Sequence, residues 1–323
     1  MSNLPRVLFV FPGQGSQYRG MGRDLHTRFA SAREVYALAS DVLGYDLAML
    51  SFEDPDGQLA LTRFTQPALM AHHMACLSAY RECVPTPLLP YATAGHSLGE
   101  YSALVAGGAL DLEHGLRLVQ DRGNLMGSLG EGEMLALPLE LDQARPLADE
   151  FYCGIGGLNL PAQTVVGGAS EDLDAMATAI ASRFPKIRPV RLKTEGAFHT
   201  YYMVEAAKRF RPILAAAPIS SPKVKVLSNY LGDYHEDQPE SIKSRLFFQL
   251  FHPVNWLGCL ERAFADGVDT VIEFGGGIGK GESPQEKRPN LESIVRRAAR
   301  RGAHDVNYLP AINAATIEHL NPG

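Results

Sequence analysis

The first strongly apolar stretch of the chain, Val7–Phe11 (VLFVF), is five residues long and is cut off by Pro12-Gly13. A short unbroken apolar run closed by turn residues predicts a buried strand, here feeding the tight loop Gly13-Gln14-Gly15-Ser16-Gln17 as strands of parallel sheets do. Helical spacing follows at about 30–42 and 67–81, then a strand at 88–94. The segment GHSLGEYSALVAGGAL reads as a strand end, a sharp turn and a helix. Between about 131 and 195 the pattern changes. Alternation in MLALPLEL gives way to a helical DQARPLADEF, then GIGGLNL, TVVGG, a helix over about 171–183, and IRPVRLK. That β-α-β-β-α-β order predicts a ferredoxin-like unit. Afterwards the earlier pattern returns, with a helix near 202–216, a strand at 224–229, a helix near 254–266 and a strand at 270–274. The expected fold class is therefore α/β. A large α/β-hydrolase-like domain with a parallel sheet takes residues 1–130 and 196–323, and a small ferredoxin-like subdomain, 131–195, is inserted in it.

Composition narrows the functional classes. The chain has 323 residues, 36 of them acidic and 30 basic, for a net charge of -6. No chain-wide basic field exists to hold nucleic acid or anionic lipid. The N-terminal apolar run is too short for a signal core or a membrane span, which makes the cytoplasm the expected compartment. Cys76, Cys83, Cys153 and Cys259 form no CxxC pair, so neither a structural disulfide nor a metal site is expected.

Gly95-His96-Ser97-Leu98-Gly99 fits G-x-S-x-G, in which a serine sits on a strained strand-to-helix turn between small neighbours. Such a turn exposes the hydroxyl and aims helix N–H groups at a developing oxyanion. Ser97 is thus the candidate nucleophile, and it needs a base. Of ten histidines, His199 stands out: Gly196-Ala197-Phe198-His199 follows a predicted strand and opens a helix, at the sheet edge where Ser97 should also lie. His96 adjoins Ser97, but neighbours on a tight turn point apart, which favours a structural role.

The helix starting near Asp111 gathers Leu112, Leu116, Val119, Gly123 and Met126 on one face, and Arg122 falls inside that stripe with no acid three or four residues away. A guanidinium facing a core needs a carboxylate or phosphate. A remote Asp or Glu would serve, and so would a substrate carboxylate.

Together Phe11-Pro12-Gly13-Gln14-Gly15-Ser16-Gln17, Gly95-His96-Ser97-Leu98-Gly99-Glu100, Arg122-Gly123 with Leu125-Met126, Gly196-Ala197-Phe198-His199, and Gln249-Leu250 before Pro253-Val254-Asn255-Trp256 resemble malonyl-CoA:acyl carrier protein transacylases. The family includes free-standing acyltransferases that serve polyketide synthases in trans. The resemblance implies ping-pong transfer of a malonyl or related acyl group from coenzyme A to the phosphopantetheine thiol of an acyl carrier protein, through an ester on Ser97, in fatty acid or polyketide biosynthesis. It further implies His199 as base and then acid, oriented by a backbone carbonyl at Gln249, with an oxyanion hole of the Gln14 and Leu98 N–H groups. Arg122 would grip the malonyl carboxylate. Asn159 matches a segment near the site, although a turn role in the small subdomain is also open. No cofactor is implied beyond the coenzyme A thioester, which is a substrate.

Three departures bear on the acyl group. Leu160 replaces a serine, Tyr201-Tyr202 replace a smaller pair and would reshape the acyl pocket, and GGGIGKGESPQEKRPN replaces a compact Gly-Pro-Gly segment. Residues 280–301 hold seven basic residues against three acidic ones. Lys280, Arg296, Arg297 and Arg300 in this run either dock a carrier protein or the coenzyme A phosphates, or form a solvated helix face. Two other functions stay open: carrier-to-carrier transfer of an unusual acyl group, and hydrolysis of acyl groups stalled on a carrier protein.

Overall fold

The computed structural model describes residues 5–321. Ten strands form two sheets: β1 (Val7–Phe11), β2 (Pro90–Gly95), β3 (Glu133–Leu137), β4 (Gly154–Leu160), β5 (Gln163–Gly168), β6 (Val190–Leu192), β7 (Lys225–Ser228), β8 (Asp233–Tyr234), β9 (Thr270–Phe274) and β10 (Asn307–Ala311). The larger sheet has the order β10-β9-β1-β2-β7-β8 and is parallel except at the β7–β8 edge. Every residue of β1 and β9 is buried, as expected of central strands covered on both faces. Phe9 and Phe11 pack on Phe274, with ring centroids 4.8 and 5.8 Å apart. From β1 the chain steps outward on one side to β2, β7 and β8, and then crosses back to the other side of β1 as β9 and β10, so the strand order reverses at β1. A crevice therefore opens beyond the carboxyl ends of these strands.

The smaller sheet is wholly antiparallel, in the order β4-β5-β3-β6. Helices Leu141–Glu150 and Ser170–Arg183 cover it through a separate core that includes Leu135, Leu137, Leu147, Val166, Leu173 and Ile180. It is tied to the rest of the chain by backbone hydrogen bonds from Leu158 N to Val254 O (2.8 Å) and from Val254 N to Gly156 O (3.1 Å).

Several boundaries differ from expectation for local reasons. The helix expected from Pro67 starts at Thr62, so Pro67 lies in its second turn and forgoes one i→i−4 hydrogen bond, to Arg63 O. Asn159 belongs to strand β4, not to a turn. Strand β10 was not anticipated, since NYLPA carries a proline; it is an edge strand, where a missing N–H is tolerated.

Candidate active site

Strand β2 ends at Gly95, and the chain reverses at once into helix Gly99–Ala106. Only glycines fit the two flanks of this turn. A Cβ on Gly95 would lie 1.9 Å from the backbone of Gly99, and one on Gly99 would lie 2.1 Å from Phe11 O. Ser97 between them has φ of 53°, in the left-handed region that a serine seldom occupies. Asn229, just past β7, braces the turn by accepting from Ser97 N (2.6 Å) and donating to Gly95 O (2.8 Å).

His199 also has a left-handed backbone, φ 62°. Its Nδ1 donates to the carbonyl of Gln249 (2.7 Å), which leaves Nε2 bare to accept from Ser97 Oγ, 2.7 Å away. Burial, and next the charge of Arg122, push the imidazole pKa down to about 3. The ring is therefore neutral across the working pH range.

Arg122 is fully buried. It donates from Nη1 to Gln66 Oε1 (2.8 Å), and from Nη2 to Gln249 Oε1 (2.9 Å) and Ser97 Oγ (3.1 Å). Its Nε has no hydrogen-bond partner, and among the described residues no carboxylate pairs with it. Burial pulls its pKa below the ordinary value. The remote acid left open by the sequence is thus not in contact. A carboxylate does lie one residue further out: Gln249 Nε2 donates both to Ser97 O (2.9 Å) and to buried Glu100 Oε2 (2.8 Å), while Glu100 Oε1 meets His235 Nε2 at 2.7 Å.

These groups line a cavity of about 540 Å³, with Gln14 and Leu98, the apolar side chains Met126, Met134, Val165 and Phe198, and Asn159. Asn159 Oδ1 is 2.8 Å from His96 Nε2, and the His96 ring, which also lines the cavity, stands edge-on to Trp256. Residues Asn290, Leu291 and Ile294 line the same cavity.

Tyr201 and Tyr202 do not line it. Their rings stack on each other 4.6 Å apart, and Tyr201 turns outward, about half exposed, to donate to Tyr152 O. The expectation that they reshape the acyl pocket is overturned: Thr200 caps the short helix Tyr201–Met203, Tyr201 faces outward, and Tyr202 packs half-buried against the main core, so neither lines the cavity. The basic run is dispersed. Lys280 lines a separate groove with Tyr18, Arg19 and Arg23, and Arg296 pairs with Glu292 at 2.8 Å over the Tyr308 ring. Arg297 and Arg300 are exposed on helix Glu292–Arg301. Gln66, Glu100, Asn229 and His235 were not anticipated. Glu100 stands inside the GHSLGE motif, but nothing local marks it as buried.

Residues 8–275 match the acyl transferase domain. The chain belongs to the acyl transferase domain family. This acyl transferase is 38% identical over 275 residues to the polyketide biosynthesis protein ThaF of Burkholderia thailandensis, covering 83% of this chain but only 23% of that protein's length. It is 34% identical over 283 residues to the malonyl CoA-acyl carrier protein transacylase of Bacillus subtilis, covering 85% of this chain and 88% of that protein. A solved structure of a type II polyketide-synthase acyl-carrier protein in complex with its malonyl-transacylase superposes with a TM-score of 0.85 at 31% identity, covering 97% of each chain.

Proposed function

We propose that this acyl transferase moves a malonyl, or closely related dicarboxylic, group from coenzyme A to the phosphopantetheine thiol of an acyl carrier protein, in polyketide or fatty acid biosynthesis. The observation that carries the reading is Arg122: a buried guanidinium with an unpartnered Nε, 3.1 Å from Ser97 Oγ. A carboxylate two bonds from a thioester carbonyl suits both groups at once. The relatives' named activities and the carrier-protein complex support the same donor and acceptor.

In the first half-reaction Ser97 Oγ attacks the thioester carbonyl and its proton passes to His199 Nε2. The oxyanion lies on the Gln14 and Leu98 N–H groups. The C–S bond then breaks, and the coenzyme A thiolate takes the proton from His199. In the second half-reaction His199 takes the proton of the carrier thiol, sulfur attacks the ester, and the proton returns to Ser97 Oγ. Gln249 keeps the imidazole in the tautomer that serves both directions. Arg122 opposes protonation of His199, so a carboxylate that neutralises Arg122 strengthens the base as it binds. This ties the chemistry to a dicarboxylic acyl group.

The same reading takes the large α/β domain (residues 1–130 and 196–323) as hydrolase-like and the inserted sheet (131–195) as ferredoxin-like. It needs no metal or organic cofactor, and it places the enzyme in the cytoplasm. Among the described residues no helix is long and apolar enough to cross a membrane. Arg297 and Arg300 are the exposed cations best placed to meet an acidic carrier protein, whereas Arg296 is drawn onto Glu292 and Lys280 onto another face. Transfer of an unusual acyl group loses its support because neither Tyr201 nor Tyr202 lines the cavity.

Intact-protein mass after brief exposure to malonyl-CoA, acetyl-CoA or a longer acyl-CoA tests the reading. A malonyl adduct that a carrier protein discharges is expected. Release of free malonate without carrier would favour the hydrolase instead. The pH dependence gives a second check. With His199 near 3 in the free enzyme, kcat/KM for malonyl-CoA should stay flat between about pH 5 and 8. A fall centred near 6.5 would mean an ordinary, solvated imidazole.

A further inference from the structure

The cavity has two walls drawn from different cores. Met126, Met134, Val165 and Phe198, on the Arg122 side, belong to the main cluster around β1. Leu291 and Val254 belong to a second cluster with Leu160 and Trp256, against which Ile294 packs. Apart from Val254, this second wall comes from Asn290, Leu291 and Ile294, at the end of and just after the segment that replaces the compact turn after β9. The segment is fixed at both ends. On the way out, Gly277 N donates to Ser16 O (2.9 Å) in the loop that carries Gln14, and Ile278 and Arg288 exchange backbone hydrogen bonds of 3.0 and 3.1 Å. On return, Asn290 N and Leu291 N donate to the two carboxylate oxygens of Glu273 at 2.8 and 3.0 Å, and Tyr308 Oη donates to the same group.

Glu273 lies on the buried strand β9 and does not itself line the cavity. Burial pushes its carboxyl up to about 7, against the pull of its three donors. A buried acid held at such cost against two consecutive N–H groups fixes the entry of helix Glu292–Arg301.

We infer that Glu273 is a positioning residue: by pinning Asn290 and Leu291 it sets the cavity wall along which the pantetheine arm of the thioester lies. The inference rests on the proposed transfer reaction. With the acyl carboxylate on Arg122 and the carbonyl at Ser97, the sulfur and its arm must leave away from Arg122, toward the other wall. The arm's chemistry, amides separated by methylenes and a dimethyl carbon, suits one amide side chain (Asn290) flanked by two aliphatic ones (Leu291 and Ile294).

The test compares wild type, Glu273→Gln and Ile294→Ala in malonyl transfer from malonyl-CoA to a carrier protein and in calorimetric binding of coenzyme A. Glutamine leaves one N–H facing another donor, and alanine shortens the wall without removing a buried polar group. Each should raise KM for malonyl-CoA about fivefold or more, leave kcat within about twofold, and weaken coenzyme A binding to match. Loss of kcat and thermal stability at unchanged KM would mean a purely structural role and overturn the inference. If Glu273→Gln does not fold, Ile294→Ala decides. If wild type takes up no acyl group, the reaction is misread, and coenzyme A binding then decides the wall by itself: weaker binding in Ile294→Ala sustains it, and equal or absent binding in wild type and variant overturns it.

Discussion

The Ser97→Ala protein should carry no acyl adduct after incubation with malonyl-CoA, and its transfer to a carrier protein should fall by about 10⁴-fold or more. The expectation follows from the isolation of this hydroxyl. It is the group 2.7 Å from the bare Nε2 of His199, at the end of a turn whose glycines admit no side chain. Cysteines are the natural substitutes, but none lines the cavity. Burial holds the thiols of Cys76, Cys153 and Cys259 above their usual pKa, far from thiolate form. Removing the hydroxyl also leaves the Arg122 network tied to Gln66 and Gln249, so the fold should persist. An adduct of unchanged mass and yield on the alanine variant would remove Ser97 from the mechanism.

Arg122→Ala should separate two substrates that wild type handles by the same chemistry. Malonyl transfer should lose about 10²-fold or more in kcat/KM, since truncating one partner of a desolvated charge pair costs about 2–5 kcal/mol. Acetyl transfer should change by less than about threefold. Acetyl offers nothing to the guanidinium, and losing the positive charge beside His199 makes that imidazole a stronger base. Parallel kinetics with malonyl-CoA and acetyl-CoA on one preparation measure the ratio directly. Equal losses for the two would mean that Arg122 only supports Gln249 and Ser97.

Much of this site was legible because its parts are local. The serine turn is written in Gly95 and Gly99, strand β1 in an unbroken apolar run, and the helix carrying Arg122 in its Asp111 cap and apolar stripe. The order of elements over residues 133–192 was legible for the same reason, since its helices and strands follow short-range periodicity. What escaped is long-range. Glu100 reads as an ordinary first-turn acid on a helix; only the approach of Asn229, His235 and Gln249 from elements more than a hundred residues away makes it a buried junction. The outward turn of Tyr201 depends on Tyr152, in the turn between helix Leu141–Glu150 and β4, and sequence proximity to His199 pointed the wrong way. Glu273 is the one acid in the short strand TVIEF, a signal that becomes meaningful once Tyr308 and residues 290–291 are seen around it.

Ser97 and His199 share one more property, their left-handed backbones. An L-residue gives up about 1–2 kcal/mol to stay there, so an unfolded or loosely collapsed chain leaves both positions for ordinary conformations. Neither half of the pair can then be preassembled by its own segment. The serine turn closes only when helix Gly99–Ala106 seats against β1, and the histidine finds its angle only when Gln249 arrives beneath it. During refolding, catalytic competence must therefore be among the last attributes regained, after helices and sheets have formed. A preparation with native secondary structure can still be inert.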